Sequence, residues 1–459
     1  MASETGLPSL FQNRAEGGRP YHFPPGLQNN LIWYAFRKFR PGEPIGLFQY
    51  LVREFGDVVH YKIGPEHILF INDPAYIREI LVVQNDNFTK ERTVRRTRML
   101  LGDGMITSEG DQHRGQRQVA QPAFHRQRIQ RYAATMVEES LWTRDSWRDH
   151  QEVDLAQEMM SLTLRIVART LFSTELGSEV QELVNAINQI MRLYNYLVAL
   201  PAVEILIHLR MPGLSRFTAA KRRVDAIVHR MIENHRHRDH RNGDLLDMML
   251  EAPNPADDDA LRDQVITIFL AGYETVANAL IWTWYLLSQN PAAGEIMFQE
   301  IQAVTGNRPP SLEDVPRLRY TEAVFAESMR IYPPAWAMGR QARKDFALGP
   351  YYLPAGTTVL ISQFVTHRDP QNFEGPLEFR PERFTSGRAT FPKFTYFPFG
   401  AGARQCIGEA FAWTEGVLAL ASIAQKWKLH LVEGQSIKPQ ALITLRSKYG
   451  LRMRPVSRH

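Results

Sequence analysis

Hydrophobic positions recur along this chain with two different periods, and the period shifts where the type of element should change. Over 57–63 and 67–71, Val, Ile, Tyr and Phe dominate, and Gly64 and Pro65 lie between, which predicts two strands joined as a hairpin. From about 112 to 250 apolar residues return every three or four positions, predicting long helices over 129–149, 154–172 and 180–200. Asp258 and Asp259 are the predicted cap of a helix from about 260 to 290, stopped by Pro291. At about 1.5 Å per residue it would measure on the order of 45 Å, enough to traverse a domain. A helix over 321–331 is expected to end before Pro333 and Pro334, with short strands such as 357–362 after it. A last helix, over 408–427, starts immediately after the cysteine.

Residues 1–30 read as an irregular lead-in, because Pro20, Pro24 and Pro25 remove amide donors and Gly26 loosens the backbone. Length alone would allow roughly two to four domains of about 150 residues. No Ser/Gly linker, low-complexity block or repeat divides the chain, so 31–459 is expected to form one domain, mainly α with small β-sheets.

Composition narrows the classes of function. Aliphatic and aromatic residues make up 44% of the 459 and charged residues 22%, the balance of a globular chain rather than a disordered one. Lys and Arg number 54 against 49 Asp and Glu, so the formal charge is only +5. That excess is too dilute for a nucleic-acid binder but suits docking of a small acidic protein. The single cysteine, Cys406, excludes an intramolecular disulfide and a multi-cysteine metal site, and points to a reducing, cytoplasmic setting. The start lacks the apolar stretch of a secretory signal. No run of roughly eighteen apolar residues occurs, and the run 31–36 is far too short, so no transmembrane anchor is expected.

The most informative stretch is Phe397-Pro398-Phe399-Gly400-Ala401-Gly402-Ala403-Arg404-Gln405-Cys406-Ile407-Gly408. Its glycines permit tight turns and a close approach of backbone to a flat ligand. A helix starting beyond Cys406 would aim amide groups and its positive end at the sulfur, favouring thiolate. A lone cysteine is ordinarily a small buried hydrophobe, but this context makes it a metal ligand. The pattern Phe-Gly-x-Gly-x-Arg-x-Cys-x-Gly resembles the haem-binding loop of the cytochrome P-450 family at every fixed position. The resemblance implies that Cys406 ligates iron, Phe399 packs beside the ligand loop, Arg404 meets a haem propionate and Gly408 belongs to the cofactor loop.

Further stretches are similar to the family's motifs, in the expected order. Glu327 and Arg330, three apart, share a helical face. With Arg383, from Pro381-Glu382-Arg383-Phe384, they resemble its buried Glu-Arg-Arg network, which is structural rather than chemical. Ala271-Gly272-Tyr273-Glu274-Thr275 resembles the oxygen-binding groove, where a Thr hydroxyl steadies the reacting oxygen and an adjacent acid joins a proton path. A glycine inside a helix costs about 1 kcal/mol relative to Ala, and close approach of haem and dioxygen is the expected reason for Gly272. The plain alternative is that Thr275 bonds the carbonyl of residue 271 while Glu274 faces solvent. His113 and Arg117, four apart, are expected propionate partners; the family often has Trp where this chain has His113. Arg340 occupies the strand region that commonly supplies another such contact.

The resemblance implies a single triangular-prism domain enclosing haem b, an iron protoporphyrin IX, and a monooxygenase that inserts one oxygen atom from O2 into a C–H bond. Met105, Ile106, Ala271, Ala335 and Trp336 are the expected pocket walls around an apolar fatty acid, terpenoid or steroid. The sequence contains no segment for a fused flavin reductase, so electrons are expected from a ferredoxin or flavodoxin with its NAD(P)H reductase. A peroxide-driven peroxygenase and a non-catalytic haem sensor are the alternatives, and Glu274 with Thr275 argues against both. The tract 235–240, rich in His and Arg, reads as a solvated loop rather than a metal site, and Arg92, Arg95, Arg96 and Arg98 read as surface charge.

Overall fold

The computed structural model describes residues 20–27, 44–175, 182, 185–187, 189–190, 212–239, 241–252, 257–387 and 391–458. Most of the lead-in 1–30, the run 31–36 and most of the helix expected over 180–200 lie outside those residues. The chain gathers into two compact units, Met1–Glu91 with Met338–Ser362, and Arg92–Ala337 with Gln363–His459.

The first unit holds helix α1 (Pro44–Phe55) and a five-stranded sheet in the order β1 (Val58–Ile63), β2 (Glu66–Ile71), β8 (Thr358–Ile361), β5 (Met338–Ala342), β3 (Phe88–Lys90). β1 and β2 form the expected hairpin, in register from Val58↔Ile71 to Ile63↔Glu66. Gly64 takes φ +59°, a conformation glycine adopts without strain. β2 runs parallel to β8 in the sheet interior, and the Ile68–Ile71 stretch is buried throughout, as a central parallel strand requires. A separate two-stranded ladder pairs β6 (Phe346–Leu348) with β7 (Tyr351–Leu353). The described part of the lead-in forms no helix or strand and touches the first unit through isolated bridges, His22 with Tyr352 and Gly26 with His60. A Cβ on residue 26 would stand 1.8 Å from the His60 carbonyl oxygen, so glycine alone lets this segment reach the strand.

The second unit is the helical one. Its main helices are α2 (Gly110–Ala120), α3 (Arg126–Ser146), α4 (Leu155–Leu171), α5 (Pro212–Arg236), α6 (Leu245–Leu250), α7 (Asp258–Gln289), α8 (Pro291–Thr305), α9 (Arg319–Ile331) and α10 (Glu409–Ala424). A three-stranded sheet, β4 (Val153–Asp154), β12 (Arg452–Ser457) and β9 (Trp427–Leu431), and a hairpin, β10 (Pro439–Ala441) with β11 (Leu445–Ser447), complete it.

α7 is the axis of this unit. It packs against α4, α5, α9 and α10, and its residues from Tyr273 to Trp284 are buried except Thr275. By length and composition this helix is apolar enough to cross a membrane, but its apolar surface is covered by the neighbouring helices. Its cap is Asp257, whose side chain accepts the Ala260 N–H at 2.8 Å, rather than Asp258 or Asp259, which already lie in the first turn. About three turns in, Phe269 stacks on Phe172 with ring centroids 4.6 Å apart, and burying each ring contributes about 1.5–3 kcal/mol. Pro291 not only stops α7 but opens α8, where its missing N–H is not needed. α10 ends at Ala424, so Trp427 belongs to β9 and not to the last helix.

The tract 235–240 is not a solvated loop at its start. α5 continues through Arg236 and turns His235 inward, one turn beyond Met231. The buried His235 ring has Nδ1 3.0 Å from the Met231 carbonyl and Nε2 2.9 Å from Asp244 Oδ2. Asp247 lies beside this pair, and Arg238 and Arg241 already supply the cluster's positive charge. His237 is exposed and bonded to Glu233, and His240 lies outside the described residues.

Candidate active site

The cysteine loop is fixed by its own backbone. Gly400 and Gly402 take φ +70° and +73°, and the N–H groups of Gly400, Gln405 and Cys406 donate to the carbonyls of Phe397, Gly402 and Phe399 at 2.9–3.0 Å. The Phe399 ring lies tilted against Trp413 of α10, with centroids 5.7 Å apart. Gly408 caps α10. Burial pushes the Cys406 thiol up to about 11, against the Gly408 N–H and the Arg117 guanidinium, which favour thiolate; Glu409 adds to the rise. The helix end favours thiolate, the direction expected from sequence, but burial opposes it and the helix end does not by itself remove the proton. A coordinated metal would, since a ligating thiol gives up its proton. The Cys406 surface is nonetheless open.

The middle of α7 shows a second uncovered patch. Ala271 is exposed and Gly272 and Thr275 are half-buried, while Tyr273, Glu274 and Val276 are buried. Ala271 and Thr275, four apart, form one stripe. The Thr275 hydroxyl donates to the Ala271 carbonyl at 2.6 Å, the local bond that a helical threonine favours. Gly272 has a packing reason of its own: a Cβ there would stand 2.9 Å from Val167 Cγ2 on α4. One residue on, the Thr163 hydroxyl of α4 donates to the Tyr273 carbonyl at 2.8 Å. Glu274 does not face solvent. It is 2% exposed, and its Oε1 accepts the Thr444 hydroxyl and, at 2.8 Å, Nε of Arg446.

Two of the expected propionate partners meet near the loop. Arg117 on α2 donates to the Gln405 carbonyl at 2.8 Å, adjacent to Cys406. Arg404 donates to the Ser108 carbonyl at 2.8 Å and pairs with the Glu109 carboxylate. His113 is buried on α2, and Arg340 lies on β5 of the other unit, donating to the Gly339 carbonyl. Of the expected pocket walls, Met105 is buried with its N–H on Gln264 Oε1 at 3.3 Å, Ile106 is half-buried and Ala335 is exposed. Trp336 donates its indole N–H to the Leu442 carbonyl at 2.7 Å.

Glu327, Arg330 and Arg383 come together in the core. Arg330 bonds both Glu327 oxygens at 2.7 and 2.8 Å, and Arg383 Nε lies 3.4 Å from Glu327 Oε1. Arg330 then reaches the carbonyls of His367, Pro376 and Glu378. The pair is wholly buried, and it ties α9 to the segment that leads into the cysteine loop. His367 extends the tie, since its Nε2 accepts the Phe397 N–H at 3.0 Å.

Sequence reasoning missed Thr163, Thr444, Arg446 and His367. No local signal marks the first three, because each acts on α7 from a distant part of the chain. Glu109, the partner of Arg404, lies four residues before His113 and carries no motif of its own.

The residues present fit a haem. Cys406 is exposed in a loop fixed by its own backbone, a stripe of small residues interrupts a buried helix, and two arginines stand by the cysteine, Arg404 within the loop and Arg117 bonded to it. The family model described as Cytochrome P450 matches residues 24–451. Cyclooctatin synthase of Streptomyces melanosporofaciens is 36% identical over 85% of this chain and 86% of its own length. Cyclooctat-9-en-7-ol 5-monooxygenase of the same organism is 34% identical, covering 83% and 84%. Pentalenene oxygenase of Streptomyces avermitilis is 33% identical, covering 88% and 91%. The chain belongs to the cytochrome P450 family of haem-thiolate monooxygenases.

Proposed function

We propose that this enzyme binds haem b through Cys406 and hydroxylates an apolar small molecule, with terpenoids ahead of fatty acids and steroids. The names of its relatives, a cyclooctat-9-en-7-ol monooxygenase and a pentalenene oxygenase, support the terpenoid class. The observation that carries the reading is the exposed Cys406 inside a loop held by three backbone bonds. Bound there, the haem supplies oxygen activation, which a thiolate ligand promotes.

The protein's own residues do the rest. Cys406 is held in place by Phe399 and Gly408, and Arg117, Arg404 and His113 are the groups to neutralise the propionates. Met105, Ile106, Ala271, Ala335 and Trp336 shape the substrate pocket. Thr275 holds a hydroxyl proton on the open stripe of α7, and Glu274 connects that stripe to a proton source. Residues 31–459 act together as one catalytic domain.

Electrons come from a ferredoxin or flavodoxin with its NAD(P)H reductase, in the cytoplasm. Exposed Arg114, Arg126 and Lys393, with the half-buried Arg128, are the cations for docking it, since opposite charge speeds encounter. The reduced protein exposed to carbon monoxide should show the red-shifted Soret band of a thiolate ligand, and Cys406→Ser should lose it. Absence of that band from the unaltered protein overturns the reading.

A further inference from the structure

Glu274 carries two bonds that its own helix does not supply, and both partners sit on one segment. Thr444 immediately precedes β11 and Arg446 lies within it. Both meet the same oxygen, Glu274 Oε1, with Arg446 Nε at 2.8 Å and both side chains almost fully buried. The segment is anchored at several further points. Asn278 Nδ2 donates to Thr444 Oγ1 at 3.2 Å, and Trp282 Nε1 to the Leu445 carbonyl at 2.9 Å. The Leu445 N–H donates to the Pro334 carbonyl at 2.9 Å, and Trp336 to the Leu442 carbonyl at 2.7 Å.

Two ionisable groups face Glu274 among the described residues. Arg446 is cationic. Tyr273 is kept neutral, its phenol pushed far up by burial first and by the Glu274 charge second. A carboxylate paired with a guanidinium has no proton to give, and a buried carboxyl stripped of that cation would hold its proton instead.

On the monooxygenase reading above, we propose that Arg446 sets the charge of Glu274 and, with Thr444, latches it, so that proton delivery toward Thr275 requires the segment 442–447 to give way. When the Arg446 contact opens, the carboxylate gains one proton from a solvent hydronium ion, which is left as water. It passes that proton toward the Thr275 hydroxyl and returns to Arg446 as carboxylate, with no electron moved. Trp336, placed at the pocket wall, is bonded to the same segment. Substrate occupancy and release of Glu274 are thereby linked through one hairpin. Arg446 is a positioning residue, acting through Glu274.

The test uses the purified ferric holoenzyme. Arg446→Met should produce an infrared protonated-carboxyl band that disappears in the Arg446→Met, Glu274→Gln double variant. The pH optimum of coupled turnover, read as product per NAD(P)H, should rise on the order of one unit or more. Arg446→Lys should keep both near the unaltered values, whereas loss of packing alone would lower turnover without moving the profile. An Arg446→Met protein with a normal carbon monoxide spectrum, no new carboxyl band and an unmoved profile overturns the latch while leaving the haem-thiolate reading intact. If Arg446→Met does not bind haem, Thr444→Val carries the test. A lowered solvent hydrogen isotope effect on turnover supports the latch, and an unchanged one overturns it. Lack of the red-shifted Soret band in the unaltered protein overturns both.

Discussion

Val167 on α4 holds residue 272 of α7 to a glycine: its Cγ2 would stand 2.9 Å from any Cβ placed there. Gly272→Ala should therefore destabilise the protein by about 1–3 kcal/mol, despite the better helix propensity of alanine. Val167→Ala in the same chain should recover most of that loss in thermal denaturation. Failure of the second substitution to rescue would place the constraint on the open stripe instead.

The Glu327–Arg330 pair is wholly buried. Glu327→Gln leaves Arg330 without its counter-charge and should cost about 3–5 kcal/mol, the range for breaking a buried ion pair. Chemical denaturation would show it, accompanied by weaker haem retention, because the network ends on the strand of backbone before the cysteine loop. A stability within 1 kcal/mol or so of the parent would contradict the assigned structural role.

Glu415, deep in α10, has both carboxylate oxygens buried without a hydrogen-bond partner among the described residues. Burial holds its carboxyl well above the usual range, so the folded state keeps a proton that the unfolded state releases. For a raised acid the sign is a loss of stability as pH climbs above the unfolded value near 4.5, at about 1.4 kcal/mol per unit until the folded value is reached. Glu415→Gln removes this dependence. Its melting temperature relative to the unaltered protein should improve steadily between about pH 5 and 7. A difference that does not vary with pH would mean Glu415 is ionised in the fold.

Asp257 caps α7 through the Ala260 N–H. Asp257→Ala should cost about 1 kcal/mol, and Asp259→Ala no more than a few tenths to 1 kcal/mol through the helix dipole alone. Equal losses in thermal melts would return the cap to the position that the aspartate run suggested.

Much of the site was legible in advance because its signals are local. The glycines of the cysteine loop, the Glu-x-x-Arg spacing on α9 and the acid-threonine pair on α7 each depend on residues within a few positions. What was not legible also has one cause. Proline and glycine at 20–26 signalled irregular chain but not that Gly26 is used to approach His60, which only the partner strand reveals. His235 looked solvated among charges, but the register of α5 turns that one residue into the core. The pull of the helix end on the thiol was legible in the sequence, but the burial that opposes it is a property of everything packed around it.

By itself, then, the sequence determined the elements, the ligand loop and the family, because dihedral preferences, caps and contiguous motifs are decided by near neighbours. Only the tertiary structure decided that Glu274 meets Arg446 across 172 positions, that Thr163 bonds the Tyr273 carbonyl, and that Gly272 answers to Val167. Such partners are chosen by which helix and hairpin faces pack together, and no spacing along the chain encodes that choice.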